Sequence, residues 1–226
     1  MTRRRIVALV PARNESARIG DTVRSLRGLP ELTEIVVVDD GSSDGTASAA
    51  LAAGATVLSI PRRAGKGRAL EGALRRLPPA DVWLLADGDL GGSAAGLKRV
   101  LAEVLEGRAD LAIAVLPPST AGGFGVVKRM AERVIRAACG FDPLEPLSGQ
   151  RAVTHGGLQA CRPLARGFGV ESAMTVDAVR AGLRVVEIRA DLSHRPTGRS
   201  LRGFAHRGKQ GLDIARALAP RLLRLR

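Results

Sequence analysis

An α/β fold with a mostly parallel sheet is what this sequence predicts, on three observations. Short apolar runs alternate with longer amphipathic segments through the first half of the chain. Those runs are continuously apolar, as burial on both faces of a parallel sheet requires. Polar, glycine-rich clusters then stand where the runs end, and in an open α/β sheet the carboxyl ends of the strands are where ligands bind.

In order, RIVALV reads as a strand, ARIGDTVRSLRGL as an amphipathic helix, EIVVVD as a strand and DGTASAALAAG as a helix. ATVLSI, GKGRALEGALRRL and DVWLLAD repeat the alternation. Ser16, Ser43 and Ser93 stand where N-caps of the following helices belong. The second half reads as a strand DLAIAVL, a loop PPSTAGGFG, a helix around VVKRMAERVIRAA and a turn-rich GFDPLEPLSGQ. A strand at RAVT, a helix at ESAMTVDAVRAG, a strand RVVEIRADL, a loop SHRPTGRS and a terminal helix to Arg226 follow. No composition break or internal repeat divides the chain, so residues 1–226 are expected to form one domain whose second half builds half of a cleft.

With 45% hydrophobic residues the chain can bury a sizeable core, and with only 2% aromatic residues and no Tyr that core must be aliphatic. Base-stacking platforms for single-stranded nucleic acid are therefore scarce. The net charge of +13 implies an anionic partner: nucleic acid, an acidic membrane surface or a phosphorylated small molecule. Only four of the 35 basic residues are lysines, so arginine-rich codon usage accounts for the charge equally well. Cys139 and Cys161 lack metal-site spacing and read as reduced thiols. IVALVPA is too short for a signal-peptide core, and Leu111 to Val127 contains Pro117-Pro118 and Gly122-Gly123, which disqualifies it as a spanning helix. A cytoplasmic protein is expected, with peripheral contact at the inner face of the membrane left open.

Four clusters carry the chemistry. The first strand exits into Pro11-Ala12-Arg13-Asn14-Glu15, the second into Asp39 to Thr46, and the fourth into Asp87-Gly88-Asp89. Gly65-Lys66-Gly67 precedes the third helix, where backbone N–H groups and an ammonium could meet a phosphate. Each alone is a common turn sequence. Gly-Lys-Gly lacks the spacing of a P-loop or a dinucleotide fingerprint, which removes the support for an ATPase or a dehydrogenase. Four clusters at strand ends of one sheet outweigh any single turn.

The ordered set VPARNE, IVVVDDGSSDGT, GKGRAL and LLADGDL resembles the nucleotide-sugar half of family 2 glycosyltransferases with the GT-A fold. The resemblance implies a Rossmann-like donor half over 1–92, with Pro11, Ala12, Arg13 and Glu15 lining the nucleoside pocket. It places Asp40 at the base, Gly65 and Lys66 near base or phosphates, and Asp87 and Gly88 at the ribose. Asp-Gly-Asp stands where that family carries its D-x-D motif. Asp89 would ligate a divalent cation, Mg²⁺ or Mn²⁺, that neutralises charge on a departing diphosphate.

AGGFGVVK, EPLSGQRAV, RGFGVESAMTVDAVRAGLRVVEI and LSHRPTGRS are similar to glucosyl-3-phosphoglycerate synthases and related small-acceptor transferases. That similarity implies an acceptor half over 93–226 and a metal ligand at His194. It places Glu171 at the acceptor hydroxyl as a catalytic residue beside Asp89. Gly123 and Lys128 at the glycine loop, Ser148, Gly149 and Gln150 in the following turn, and Arg199 in the last loop are the expected acceptor-binding residues. Arg195 and Arg202 flank the last of these, and His155 and His206 read as surface residues.

The expected activity is transfer of a hexose, glucose or mannose, from a UDP-linked rather than GDP-linked donor to a small anionic acceptor such as 3-phosphoglycerate, with retention. The alternative is a polyprenyl-phosphate glycosyltransferase at the membrane surface, whose basic terminus IARALAPRLLRLR would lie in the interface. A sugar-phosphate nucleotidyltransferase is disfavoured because PARNE is not a glycine-rich loop, and a nucleic-acid binder has only the net charge behind it. A homodimer is left open.

Overall fold

The computed structural model of the chain describes residues 4–117, 125–192 and 201–223, the last stretch with side chains from Leu212 onward. The first half alternates as expected: β1 (Ile6–Ala12), α1 (Ile19–Arg27), β2 (Glu34–Asp39), α2 (Thr46–Ala52), β3 (Thr56–Ser59), α3 (Lys66–Leu74) and β4 (Val82–Leu85). A 3₁₀ turn at Gly91–Gly96 leads into α4 (Leu97–Leu105), then β5 (Leu111–Val115) and α5 (Gly125–Cys139). The rest comprises β6 (Arg151–Thr154), α6 (His155–Ala160), α7 (Val170–Arg180), β7 (Val185–Arg189) and α8 (Leu201–Leu223).

The seven strands run in the order β3-β2-β1-β4-β6-β5-β7. All neighbours pair in parallel except β6, which is antiparallel to both β4 and β5. Trp83 pairs with Val153 and Leu85 with Arg151. This reversal matters for the site, because the residues that precede β6 arrive at the same edge where the parallel strands leave the sheet.

Burial on both faces explains the unbroken apolar runs. On β1, Ile6, Ala8, Val10 and Ala12 pack with Ile19, Val23 and Leu26 of α1 and with Leu97, Val100 and Leu101 of α4. Val7 and Leu9 point the other way, against Ala69 and Leu70 of α3 and Val170 and Met174 of α7. Truncating a fully buried residue such as Leu9 to Ala would cost about 2–5 kcal/mol through lost transfer energy and the cavity left behind. Beyond the sheet, Ala131 and Ile135 of α5, Val176 of α7 and Ile214 and Leu218 of α8 form a third cluster. No helix among the described residues is long and apolar enough to cross a membrane.

Three local expectations are corrected. Neither Ser16 nor Ser43 caps a helix: the cap positions of α1 and α2 are Arg18 and Gly45, and neither donates a side-chain cap. The hydroxyls and amides of these loops are spent on each other, with Ser43 N donating to Asn14 Oδ1 at 2.9 Å and Asn14 N to Ser42 Oγ at 3.0 Å. Asp44 serves the start of α2 instead, its Oδ1 accepting from Thr46 N at 3.0 Å, and the Thr46 hydroxyl bond above all holds its carboxyl down at about 2. Ser93 lies inside the 3₁₀ turn, its hydroxyl donating to Leu90 O at 2.7 Å. His155, expected at the surface, is half-buried at the start of α6, which Thr154 caps through a bond from Gly157 N of 3.0 Å.

Candidate active site

The carboxyl ends of β1 and β2 open onto a cleft of about 420 Å³. Of the residues expected to bind a donor, Pro11, Ala12, Arg13, Asp40, Gly65 and Lys66 line it. Arg63, Arg68, Arg166 and Asp213 also line it and were not singled out by sequence.

Asp40 is buried, and its carboxylate accepts from Ala64 N at 2.6 Å through Oδ1 and from Gly65 N at 2.9 Å through Oδ2. The end of β2 thereby anchors the loop that launches α3. Gly65 takes φ +87°, a left-handed conformation that side chains other than glycine rarely adopt, and the chain then delivers Lys66 inward. A Cβ at Gly67 would overlap Ala165 O, so α3 approaches the loop before α7 closely enough to exclude any side chain there.

Lys66 is the hub. Its Nζ lies 2.6 Å from Asp87 Oδ1 at the end of β4 and 2.6 Å from Glu171 Oε1 on the first turn of α7. Burial opposes the charge of this ammonium, but Asp87 and then Glu171 overturn that effect and raise its pKa above the ordinary lysine value. Gln150 Nε2 donates to the other oxygen of Asp87 at 2.7 Å. Gly149 sits against the pair: a Cβ there would overlap Lys66 Nζ and lie 2.8 Å from Asp87 Oδ2. Gly149 and Gln150, expected on the acceptor side, therefore lie against Asp87 and its lysine. Ser148 is buried beside them, its Oγ 3.4 Å from Gln150 Oε1.

The Asp-Gly-Asp turn is held from α1. Thr22, fully buried, donates through Oγ1 to Gly88 O at 2.9 Å and accepts from Gly91 N at 2.8 Å. Arg18 Nη1 donates to Asp89 O at 3.1 Å. A Cβ at Gly88 would stand 3.0 Å from Ala12 Cβ. Sequence reasoning missed Thr22 and Arg18, although a threonine between Ile19 and Val23, on the buried face of α1, was a legible sign of an internal hydrogen bond.

Other expected residues lie apart from this hub. Glu15 does not line the cleft; its carbonyl accepts from Arg18 N and Ile19 N, and its amide donates to Thr46 Oγ1 at 2.8 Å. Lys128 on α5 pairs with Glu145 at 3.2 Å and does not line the cleft. Burial above all pushes that Glu145 carboxyl up. Gly123, His194 and Arg199 fall outside the described residues.

The donor chemistry fits a hard divalent cation in part. Asp89 could offer a carboxylate oxygen, the type of ligand that Mg²⁺ and Mn²⁺ prefer, whereas the oxygens of neighbouring Asp87 accept from Lys66 and Gln150. No group of three or more His, Cys, Asp or Glu gathers among the described residues. One carboxylate would leave most of a coordination shell to phosphate oxygens, water and a side chain from elsewhere.

Comparison with known proteins follows the same outline. The model of the family described as glycosyl transferase family 2 matches residues 7–153. Glycosyltransferase AglJ of Haloferax volcanii is 28% identical over 197 residues, covering 85% of this chain and 64% of that protein. Glucosyl-3-phosphoglycerate synthase of Mycobacterium tuberculosis is 31% identical over 208 residues, covering 81% and 64%. The chain thus spans 64% of the length of these curated relatives. The crystal structure of the M. tuberculosis synthase with Mn²⁺, uridine diphosphate and phosphoglyceric acid superposes with a TM-score of 0.82 at 29% identity, covering 97% of this chain and 78% of the other.

Proposed function

The chain belongs to glycosyl transferase family 2, with the GT-A fold, and from that premise we propose that it moves a hexose, glucose or mannose, from a UDP-sugar to a small anionic acceptor. The observation that carries the reading is the convergence of Asp40, Lys66 and Asp87 at the ends of β2 and β4, with Glu171 meeting them from α7. The synthase of M. tuberculosis, similar along nearly the whole chain, holds UDP, Mn²⁺ and phosphoglycerate at once, which supports a UDP donor, a divalent metal and an acid acceptor such as 3-phosphoglycerate.

In this reading residues 1–92 hold the donor and residues 93–226 the acceptor. Asp89 and His194 would hold the cation, which supplies charge neutralisation for the leaving diphosphate. Asp87, oriented by Lys66 and Gln150, presents a carboxylate to the ribose hydroxyls. Pro11 and Ala12 form the apolar wall of the base pocket, and Asp40 sets the loop that closes it. Glu171, 7% exposed and paired with Lys66, accepts a hydrogen bond from the acceptor hydroxyl and aligns it on the sugar carbon. Retention is the expected outcome.

Titration of UDP with Mn²⁺ by calorimetry, followed by a mass-spectrometric screen of nucleotide sugars against phosphorylated and carboxylated acceptors, tests the proposal. Micromolar UDP binding and a hexosyl product from an acid acceptor are expected. No UDP binding with Mn²⁺ present would overturn it. A second reading, a polyprenyl-phosphate acceptor at the inner face of the membrane, draws on α8, where Leu212, Arg216 and Leu223 are exposed. Co-sedimentation with anionic vesicles and transfer to a polyprenyl phosphate would favour it.

A further inference from the structure

Arg151 is the largest charged side chain buried in the described protein, 1% exposed in the middle of the sheet on β6. Such a charge needs a reason, because a buried ion is generally a poor source of stability compared with an apolar residue of similar volume. No carboxylate among the described residues forms an ion pair with it. Its Nε donates to Ser148 O at 2.8 Å and its Nη1 to Thr175 Oγ1 at 3.0 Å, while Nη2 is buried with no hydrogen-bond partner among the described residues. Burial pushes the guanidinium down to about 10, and Glu171 is the strongest of the charges that pull it back.

Both partners of Arg151 lead to the hub. Ser148 O belongs to the turn whose next two residues are Gly149, fitted against Lys66 and Asp87, and Gln150, bonded to Asp87. Thr175 Oγ1 in turn donates to Glu171 O at 3.1 Å, and Glu171 carries the carboxylate that meets Lys66. Arg151, Lys66, Gly149 and Glu171 also line one small cavity of about 10 Å³, the room of a single water molecule.

We propose that Arg151 is a positioning residue of the candidate active site: one buried guanidinium holds the 148–150 turn on one side and the first turn of α7 on the other, and so sets the spacing at which Lys66 bridges Asp87 and Glu171. The inference rests on the reading of the cleft as a nucleotide-sugar site. Arginine suits the task because its planar fork donates in two directions at fixed geometry, which a lysine ammonium does not reproduce. The sequence concealed it, since one arginine among many carries no signal of burial.

The test is the affinity for UDP with Mn²⁺, read by calorimetry beside a thermal melt. Arg151→Lys keeps the charge and loses the two-way hold, so UDP should bind about tenfold more weakly, and Thr175→Val, which removes only the hydroxyl relay at nearly constant volume, should bind about threefold more weakly. Because Arg151 acts through Glu171, adding Arg151→Lys to Glu171→Gln should weaken binding by less than the product of the two separate losses. A merely structural role would lower the melting temperature and leave the UDP affinity of the folded fraction unchanged, and that result overturns the proposal, as would losses that multiply independently. If Arg151→Lys does not fold, Thr175→Val decides by the same criterion. Wild type that binds no UDP at all would instead sink the nucleotide-sugar reading itself.

Discussion

The Lys66 ammonium meets the Glu171 carboxylate at 2.6 Å, joining the first turn of α3 to the first turn of α7. Because Asp87 shares the same ammonium, the lysine lies between two carboxylates, and its loss removes the charge that joins them.

Lys66→Met should therefore destabilise the protein by about 1.5–3 kcal/mol, the worth of a lost charged hydrogen bond, and weaken UDP binding at least about tenfold. The two carboxylates raise the folded-state pKa of Lys66 above its unfolded value. Its contribution is then complete below the unfolded value of about 10.4 and is lost only as pH rises through the higher folded value. Denaturant midpoints of wild type and Lys66→Met should keep a constant separation from pH 7 to 10. A separation that shrinks across that range would contradict the pairing.

Gly149→Ala tests the close fit directly. The new methyl would occupy the space of Lys66 Nζ, so the lysine must move off Asp87. Nucleotide affinity should fall about tenfold or more while the protein stays folded, because overpacking at the edge of the core costs about 1–3 kcal/mol. Calorimetry with UDP and a thermal melt on the same sample read both effects.

Asp89→Ala should reduce transfer roughly 10²-fold or more, since metal stabilisation of a departing diphosphate supplies several kcal/mol. Excess EDTA should abolish turnover in wild type and Mn²⁺ should restore it. Undiminished turnover in EDTA would require a metal-free mechanism.

Asp40→Asn offers an amide nitrogen where one oxygen now accepts from Ala64 N or Gly65 N. One of those bonds must break, and the loop that places Lys66 loosens. UDP should bind about tenfold more weakly, with the Mn²⁺ affinity of the free protein unchanged. Equal UDP affinity would reduce Asp40 to an ordinary turn residue.

Glu71 on α3 braces the loop before α7, accepting from Arg162 Nη2 at 2.8 Å and from Leu164 N at 3.2 Å. Burial works against its charge, but the Arg162 bond and the Leu164 amide outweigh burial and lower its pKa. A depressed carboxyl adds stability that is present above its unfolded value, about 4.3, and lost as pH falls through the folded one. Glu71→Gln should cost about 1–3 kcal/mol at pH 7. Its stability should also fall less steeply than that of wild type as the pH is lowered below 5, as denaturant titrations at several pH values would show.

Much of this was legible because burial leaves a strong mark on composition. β1, β2 and β4 are covered on both faces, so IVALV, IVVV and VWLL admit almost nothing polar, and the clusters that follow them mark the ligand edge. The direction of β6 was not legible. Four residues, RAVT, read the same in either orientation, and only that orientation brings Gly149 and Gln150 to Asp87. Caps failed for a related reason, since Ser16 and Ser43 lie in loops that bond across to each other's neighbours. Thr22 and Arg151 do their work at long range, where no local pattern reports it.

The reversed strand also sets the order in which the molecule can be built. β1, β2 and β3 pair over short stretches of chain, whereas Trp83 reaches back 76 positions to Val7 on one side and must wait for Val153, 70 positions later, to gain its partner on the other. During synthesis the N-terminal four strands emerge first, with Lys66 and Asp87 already present and one edge of β4 bare. Closing that edge adds a second long-range closure with its own entropic cost, and it brings Gln150 and Arg151 to the site. The nascent chain thus carries an unprotected strand edge of four apolar residues until β6 docks, and amide exchange during refolding should show β4 acquiring protection after β1.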